Sequence, residues 1–579
     1  MRKVIILFFI LIFGFPFIAC DNGTGGGTNG GNWQKTPETP STPSTPLTPQ
    51  PFNNITASQL VSNIKIGWNL GNSLDSANLH HKGSNLTVNQ LEKGWDDIPV
   101  ATKALIDTVK EAGFNAIRIP VTWSKAANSN YNIRLDWMIR ITEVVNYAAG
   151  NGMYIILNTH HDDMDTSINN EVLFQFTNAG VNQSLSAFRK IWEQIANNFK
   201  NYNEKLIFEA LNEPRTKGSP NEWTGGTAEE RNNLNKHYEV FIDVVRNSGG
   251  NNDKRILMIN TYAASTSQAA LDGLVLPTDT ISNKLIVSVH EYSPYNFALN
   301  SWNIGENDSV DTWDINNSDD KLAITEPIDR VYEKFVSKGI PVIMGEFGSV
   351  NKNNLAARAA HAEFYVSYAK SKEVRCFWWD SGLSVPLLGV DHGNFGIINR
   401  SNNQWTHPQI VEALMRGAES ENLPLGPGTD AVFTNWIPSS DGASSITHTV
   451  PAAGRQRIQG TLTGSEGYAN IFAAPDSASL ERMKTMNAIT FMATGDGKQY
   501  SVMIPTTETN IEYNHYRFTF TASSSPTQIT VYVPSNLAQA DWGGAGVTAF
   551  NQSNVQGFAF QPFNNGSFDL TVWDVKLYN

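Results

Sequence analysis

Leu206-Ile-Phe-Glu-Ala-Leu-Asn-Glu-Pro214 opens as an apolar strand and closes on an amide, a carboxylate and a proline. An apolar body suits a strand covered on both faces, as in a parallel sheet, and Pro214 biases Glu213 away from helical backbone. Seven other stretches share this pattern: 64–72, 115–121, 154–161, 256–261, 285–294, 341–349 and 375–382. Amphipathic segments separate them. One carries Ala104, Leu105, Val109 and Ala112 at helical spacing, and others span 135–149, 185–199 and 356–369. Gly113, Gly150 and Gly152 stand where helices should stop. Eight strand–helix repeats predict an α/β fold, a (β/α)8 TIM barrel, whose functional residues gather at the C-terminal ends of its strands.

Those ends carry Asn69 and Asn72, Arg118, His160 and His161, Asn212 and Glu213, Tyr262, His290 and Tyr292, Glu346, and Trp379 with Asp380. A strand buried on both faces has little reason to end in ionisable groups unless they converge on something. Strands 4 and 7 face each other across such a barrel, so Glu213 and Glu346 would flank a chain lying over its mouth. Paired carboxylates are the working parts of glycoside hydrolysis, one giving a proton and the other attacking the anomeric carbon or activating water. Gly345 and Gly348 are expected to leave backbone room for a substrate ring beside Glu346.

Six motifs carry a family resemblance: Ile66-Gly-Trp-Asn-Leu-Gly-Asn-Ser-Leu-Asp75, Ile117-Arg-Ile-Pro-Val-Thr-Trp123, Leu157-Asn-Thr-His-His161, Ile207-Phe-Glu-Ala-Leu-Asn-Glu-Pro214, Val289-His-Glu-Tyr292 and Val342-Ile-Met-Gly-Glu-Phe-Gly348. In this order they resemble glycoside hydrolase family 5, and within it the endoglucanase and xyloglucanase branch, subfamily 4. The resemblance covers roughly residues 53–416. It implies an endo-acting, retaining β-1,4-glucanase for cellulose-like, mixed-linkage or xyloglucan chains, with Glu213 as acid/base and Glu346 as nucleophile. It further implies that Arg118 and Tyr292 keep Glu346 charged and that Asn212 bonds the sugar 2-hydroxyl. His160 and His290 would orient substrate and acid/base, Trp379 would floor the cleaved sugar, and Asn72 and His161 would support the site. On this reading Glu213 is kept protonated, and a retaining pair lies about 5–5.5 Å apart. A β-mannanase or xylanase on the same barrel, or a surface glycan-binding lipoprotein without catalysis, are the alternatives.

Several neighbours read otherwise. His160-His161-Asp162-Asp163 has metal-ligand chemistry, but adjacent strand residues point opposite ways and cannot all reach one ion, so no catalytic metal or cofactor is expected. Glu209 lies deeper in the barrel than Glu213, and Glu291 faces away from His290; both read as structural groups. Trp68 and Trp378 read as packing. Trp123, Trp223, Tyr295, Phe297, Trp302 and Trp313 are candidates for outer sugar subsites, of which half at most are expected to touch substrate.

The flanks read separately. Lys and Arg total 42 against 55 Asp and Glu, a net charge of −13 with no basic run, which excludes nucleic acid as a natural partner. Arg2 and Lys3 precede an apolar run ending in Phe17-Ile-Ala-Cys20, a lipoprotein-type signal over residues 1–20. Export and a lipid anchor on Cys20 at the bacterial envelope follow, with secretion as the alternative. Residues 21–51 are Gly-rich and then Thr/Pro-rich, an extended linker. The catalytic barrel is expected over 52–425 and an antiparallel β-sandwich over 426–579. Its strands are read at 447–450, 457–463, 500–504, 516–521, 528–533, 557–561 and 571–577, with no helix. Residues 492–500 and 570–578 resemble carbohydrate-binding modules of family 11 and CIA30-like domains. That resemblance implies a sugar-binding module using Tyr513, Tyr516, Tyr532 and Trp542, and is compatible with a structural calcium; a domain docking on the barrel is the alternative. Only Cys20 and Cys376 are present, so no disulfide framework exists, and the chain reads as a monomer.

Overall fold

The computed structural model describes residues 49–578 except 80–85, 96–97, 169–170, 384–393, 421–424, 426–427, 465–466, 511–512 and 540–548. The signal segment, Cys20, nearly all of the linker, Trp542 and most of the junction near residue 425 lie outside the described residues.

The eight expected strands form a closed parallel barrel: β1 (Gly67–Leu70), β2 (Ala116–Ile119), β3 (Tyr154–Asn158), β4 (Leu206–Glu209), β5 (Leu257–Asn260), β6 (Leu285–His290), β7 (Val342–Phe347) and β8 (Arg375–Asp380). All are shorter than the sequence suggests: Asn72, His160, His161, Asn212, Glu213 and Tyr262 lie beyond the ladder, whereas Arg118, His290, Glu346, Trp379 and Asp380 remain within it. Glu213 thus lies four residues beyond β4.

Inward side chains change character along the barrel axis. Toward the N-terminal ends of the strands, Ala116, Ile156, Ile207, Met258, Ile286, Ile343 and Phe377 form one apolar cluster with Ala57, Leu60 and Val61. These last three come from the helix Ala57–Asn63, which plugs that end of the barrel. Thr56 starts it with a capping box: its hydroxyl accepts from the Gln59 amide, and the Gln59 side chain accepts from the Thr56 amide. Gly67 has no side chain because the Phe377 ring fills the space; a Cβ there would sit 2.1 Å from that ring. Two residues further along, the same inward face carries Asn69, Arg118, Asn158, Glu209, Asn260 and Ser288, all fully buried. The outward face, with Trp68, Ile117, Leu157, Phe208, Val287 and Trp378, packs against the helical shell. Trp68 and Trp378 are therefore packing residues, as read. The chain is tied to the barrel from Gln50, whose amide donates to the Asn201 carbonyl at 2.8 Å, and Asn53 donates to Glu204 at 2.9 Å. After β8, Ile398–Asn399 (β9) pairs with Gln404–Trp405 (β10).

The C-terminal part is an all-β sandwich. One sheet runs in the order Ser445–Ala452 (β13), Arg455–Leu462 (β14), Gly566–Tyr578 (β21), Ala488–Gly495 (β16), Thr527–Tyr532 (β19), with Thr429–Asp430 (β11) also on β21. The other runs Phe433–Ser440 (β12), Ala469–Pro475 (β15), Phe558–Pro562 (β20), Gln499–Ile504 (β17), Tyr516–Thr521 (β18). Phe491, Tyr500, Val502, Phe558, Phe560, Phe568 and Leu570 form the core between them. Four strands escape the sequence reading: β11, β12, β15 and β16. So does a helix at Ser477–Met483, capped by Asp476 accepting from the Ser479 amide at 2.7 Å. Strand β12 contains Pro438, which a central strand excludes but an edge strand tolerates, and β12 is an edge. Strand β15 is rich in alanine, a residue with weak strand preference.

Candidate active site

Arg118 is the hub. Its guanidinium is wholly buried and spends its donors on four neighbours: Nε to Glu209 at 2.7 Å, Nη1 to Asn69 at 3.1 Å and to Glu346 at 2.7 Å, and Nη2 to Asn212 at 2.7 Å. Burial opposes its charge, but Glu209 and Glu346 more than restore it, and its pKa is raised. Glu209 is held in turn by Asn158, Asn260 and Ser288, donating at 3.1, 3.0 and 2.9 Å. Both oxygens of the buried carboxylate thereby have hydrogen-bond partners, which burial of such a group demands. It acts through Arg118, in keeping with its structural reading.

Glu346 receives Arg118 on one oxygen and the Tyr292 hydroxyl, at 2.9 Å, on the other. Tyr292 is half-buried, and its pKa rises well above the usual value, by desolvation and then by Glu346, so it remains a donor. A register shift in the ladder between β6 and β7 sets Glu346 opposite His290. Gly345 makes this fit: a Cβ there would lie 2.9 Å from His290 Nε2 and Ser288 Oγ. The room at Gly345 is therefore filled by protein, not substrate, and that at Gly348 by Phe395 at 3.1 Å, which corrects the sequence expectation for both.

His290 Nδ1 bonds Glu213 at 3.0 Å and lies 3.6 Å from Glu346. One oxygen of Glu213 lies within 4.8 Å of one of Glu346. Arg215 folds back, donating to the Glu213 carbonyl at 2.7 Å and to its carboxylate at 3.3 Å, while Nε bonds Glu222 at 3.1 Å. Trp223 lies over the guanidinium at 4.2 Å. Burial disfavours charge on Glu213, yet the His290 bond and Arg215 outweigh it and pull its pKa down to about 2. His290 first and Arg215 second thus favour the charged form of Glu213, against the expectation that its surroundings keep it protonated.

The remaining expected residues line the same mouth. His160 Nδ1 accepts from Asn158 at 3.1 Å, and its ring stacks on Trp379 at 5.8 Å with an interplanar angle of 4°. Burial, then neighbouring positive groups, drives the pKa of His160 well down, so the ring is neutral. His161 meets His160 edge-on at 4.3 Å. Asn72 takes left-handed backbone, φ 56°, and its amide donates to Asp75 at 3.0 Å. Asn212 gives Arg118 its oxygen. Asp380 turns away to Arg400 at 2.9 Å, Glu291 accepts from Thr266 and Ser293, and the Tyr262 hydroxyl accepts from the Thr216 amide at 2.9 Å.

The run His160–Asp163 does not converge. Asp162 accepts from the Trp123 and Ser124 amides at 2.9 and 2.7 Å. Two trios do bring one ligand-type atom each to within 4.8 Å: Asp75, His160 and His161, and Glu213, His290 and Glu346. Of the loop aromatics, Trp223, Tyr295 and Trp302 are exposed, whereas Trp123, Phe297 and Trp313 are buried. Sequence reasoning missed Arg215 and Glu222, although Arg215 follows Pro214 directly, and Asp75, which ends a quoted motif.

The sequence matches the family described as Cellulase (glycosyl hydrolase family 5) over residues 78–384. The chain belongs to glycosyl hydrolase family 5. Among curated relatives, it is 42% identical to the Cellulase/esterase CelE of Acetivibrio thermocellus over 373 residues, 64% of this chain and 41% of CelE. It is 41% identical to Endoglucanase A of Clostridium longisporum over 362 residues, 62% and 66% of the two chains. This family 5 chain thus spans less than two thirds of either relative. A solved GH5-4 broad specificity endoglucanase from Ruminococcus champanellensis with bound cellotriose is 43% identical, TM-score 0.58, covering 63% of this chain and all of that one. A lichenase of glycoside hydrolase family 5 from Caldicellulosiruptor sp. F32 is 39% identical, TM-score 0.58, covering 66% and 100%. Together these matches place the family 5 barrel in subfamily 4.

Proposed function

We propose that this family 5 chain is an endo-acting β-1,4-glucanase that cleaves internal bonds of cellulose-like, mixed-linkage or xyloglucan chains with retention of configuration. The observation that carries the reading is the carboxylate pair: oxygens of Glu213 and Glu346 within 4.8 Å, with Arg118 and Tyr292 donating to Glu346 and His290 bonding Glu213. That spacing suits direct attack, whereas an inverting pair is set wider, about 6.5–9.5 Å, to admit a water. Glu346 attacks the anomeric carbon while Glu213 protonates the departing glycosidic oxygen. The Glu346 ester is then hydrolysed by a water whose proton Glu213 removes. Neither step requires a metal or cofactor. The relatives named for endoglucanase and lichenase activity favour glucan over mannan or xylan. The test is a panel of carboxymethyl cellulose, barley glucan, xyloglucan, mannan and xylan. Cleavage of the first three, to mid-length products whose first-formed anomer is β by proton NMR, supports the reading; an α product overturns it.

The flanks complete the proposal. The signal-like start implies export, with a lipid on Cys20 holding a monomeric enzyme at the envelope, and mass spectrometry of the mature N-terminus tests it. We read the sandwich as a glucan-binding module, with calcium a ligand to be tested by chelation.

A further inference from the structure

Register across the second sheet of the sandwich lines up its outward side chains in rows. Ile437, Phe472, Ala559 and Met503 form one; Asn470, Gln561, Ser501 and Thr519 stand beside it. Continuing the same pairing places Tyr468 and Phe563 opposite one another in the next row. Two backbone bonds support this: the Asp441 amide to the Tyr468 carbonyl at 3.2 Å, and the Phe563 amide to the Gln499 carbonyl at 3.0 Å. Tyr468 is 40% exposed, Phe563 51% and Ile437 46%. From Tyr468 to Phe472 is four residues along one strand, roughly 13 Å, enough for a short oligosaccharide.

The polar row is uncharged, and in it Ser501, which is buried, and Thr519 bond each other through their hydroxyls at 3.4 Å. Neither the Asn470 nor the Gln561 amide has a partner among the described residues. The outer face of the opposite sheet differs. There Arg457 and Gln459 are committed to Asp569, and Arg455 stacks on Trp573 at 4.2 Å. On the proposed face the charged groups stand at the edges, Arg517 opposite Met503 and Asp441 beside Tyr468. Exposed rings beside two unspent amides match the alternating apolar faces and hydroxyl edges of a neutral sugar chain. They match neither an anion nor an apolar partner. Of the rings expected to bind, Tyr513 is 72% exposed but stands between β17 and β18, outside the sheet, Tyr516 is buried against Phe550, and Tyr532 lies on the other sheet.

We propose that the outer face of the sheet β12–β15–β20–β17–β18 binds a β-glucan chain, with Tyr468 and Phe563 as its platform and Asn470 and Gln561 as its hydrogen-bonding row. This rests on reading the sandwich as a glucan-binding module, and the test separates the two. Binding to barley β-glucan in affinity gels and to insoluble cellulose is compared for the full chain carrying Glu346→Gln, the same chain with Tyr468→Ala and Phe563→Ala, and the barrel alone. The barrel alone is a sound control because its solved relatives are matched over their whole length by 63–66% of this chain. The expected result is a fall of about tenfold or more in affinity for the double variant, to the level of the barrel alone, with melting temperature unchanged. Asn470→Ala with Gln561→Ala should give a smaller loss in the same direction. Unchanged binding in the double variant, with weaker binding by the barrel alone, would overturn this face and leave the module reading standing. Equal binding by the barrel alone would overturn both.

Discussion

The barrel mouth and the outer sheet of the sandwich both pair an arginine with a carboxylate in near-ideal geometry, and burial makes the two pairs different objects. Arg118 and Glu209 meet at 2.7 Å with neither side chain exposed. Arg457 and Asp569 meet at 2.5 Å with 38% and 35% exposed. Water can take over from either partner of the second pair. In the first, removing one partner strands the other in a low-dielectric interior. The buried pair therefore buys no stability worth its desolvation on its own; its value is a fixed cation that holds Glu346 and Asn212 in place.

Substitutions can break this contrast. The largest effect is expected for Glu346→Gln, where turnover should fall by on the order of 10⁵-fold, as for other nucleophiles, while polymer binding survives. Glu213→Gln should cost about 10²- to 10⁴-fold, and less on aryl glycosides whose leaving groups need little protonation. Arg118→Met should destabilise the fold by about 3–5 kcal/mol, by leaving two carboxylates uncompensated, whereas Arg457→Met should cost about 0–1 kcal/mol. Chemical denaturation of both variants checks the comparison directly, and equal losses would sink it.

A smaller and sharper test concerns Arg215. Its charge lowers the pKa of Glu213, so Arg215→Met should raise it. The alkaline limb of kcat/KM should then move up by about one pH unit or more; a limb that stays put would remove Arg215 from the control of Glu213. For stability the sign is the usual one for a depressed carboxyl. The contribution of Glu213 is present above its unfolded value, about 4.3, and is lost as pH falls toward about 2.

Much of the barrel was legible because each strand announces itself twice, by an apolar body and by a polar end. All eight strands, and the residues that meet at the mouth, follow from that double signal. What could not be read was anything set by loop conformation or by crowding between strands. Arg215 turns back onto Glu213 and, after His290, helps to lower its pKa. Gly345 accommodates His290 instead of sugar. Trp123, written like a subsite residue, donates its indole N–H to the Asn158 carbonyl inside the barrel wall. The sandwich was read less well because its strands lack polar ends, and one of them, β12, carries a proline that only its edge position permits. Its exposed rings, Tyr468 and Phe563, fall at or just beyond strand ends, where alternation gives no clue to facing.

The bonds that tie the chain to the barrel begin at Gln50, immediately after the Thr/Pro-rich stretch. A protease cutting anywhere ahead of that residue would sever none of the contacts described for the barrel or the sandwich. With the lipid proposed on Cys20 and the sugar-binding face proposed on the sandwich, the same polypeptide would serve in two ways, tethered where it is made and, once clipped, shed to diffuse toward distant polymer with both proposed surfaces intact.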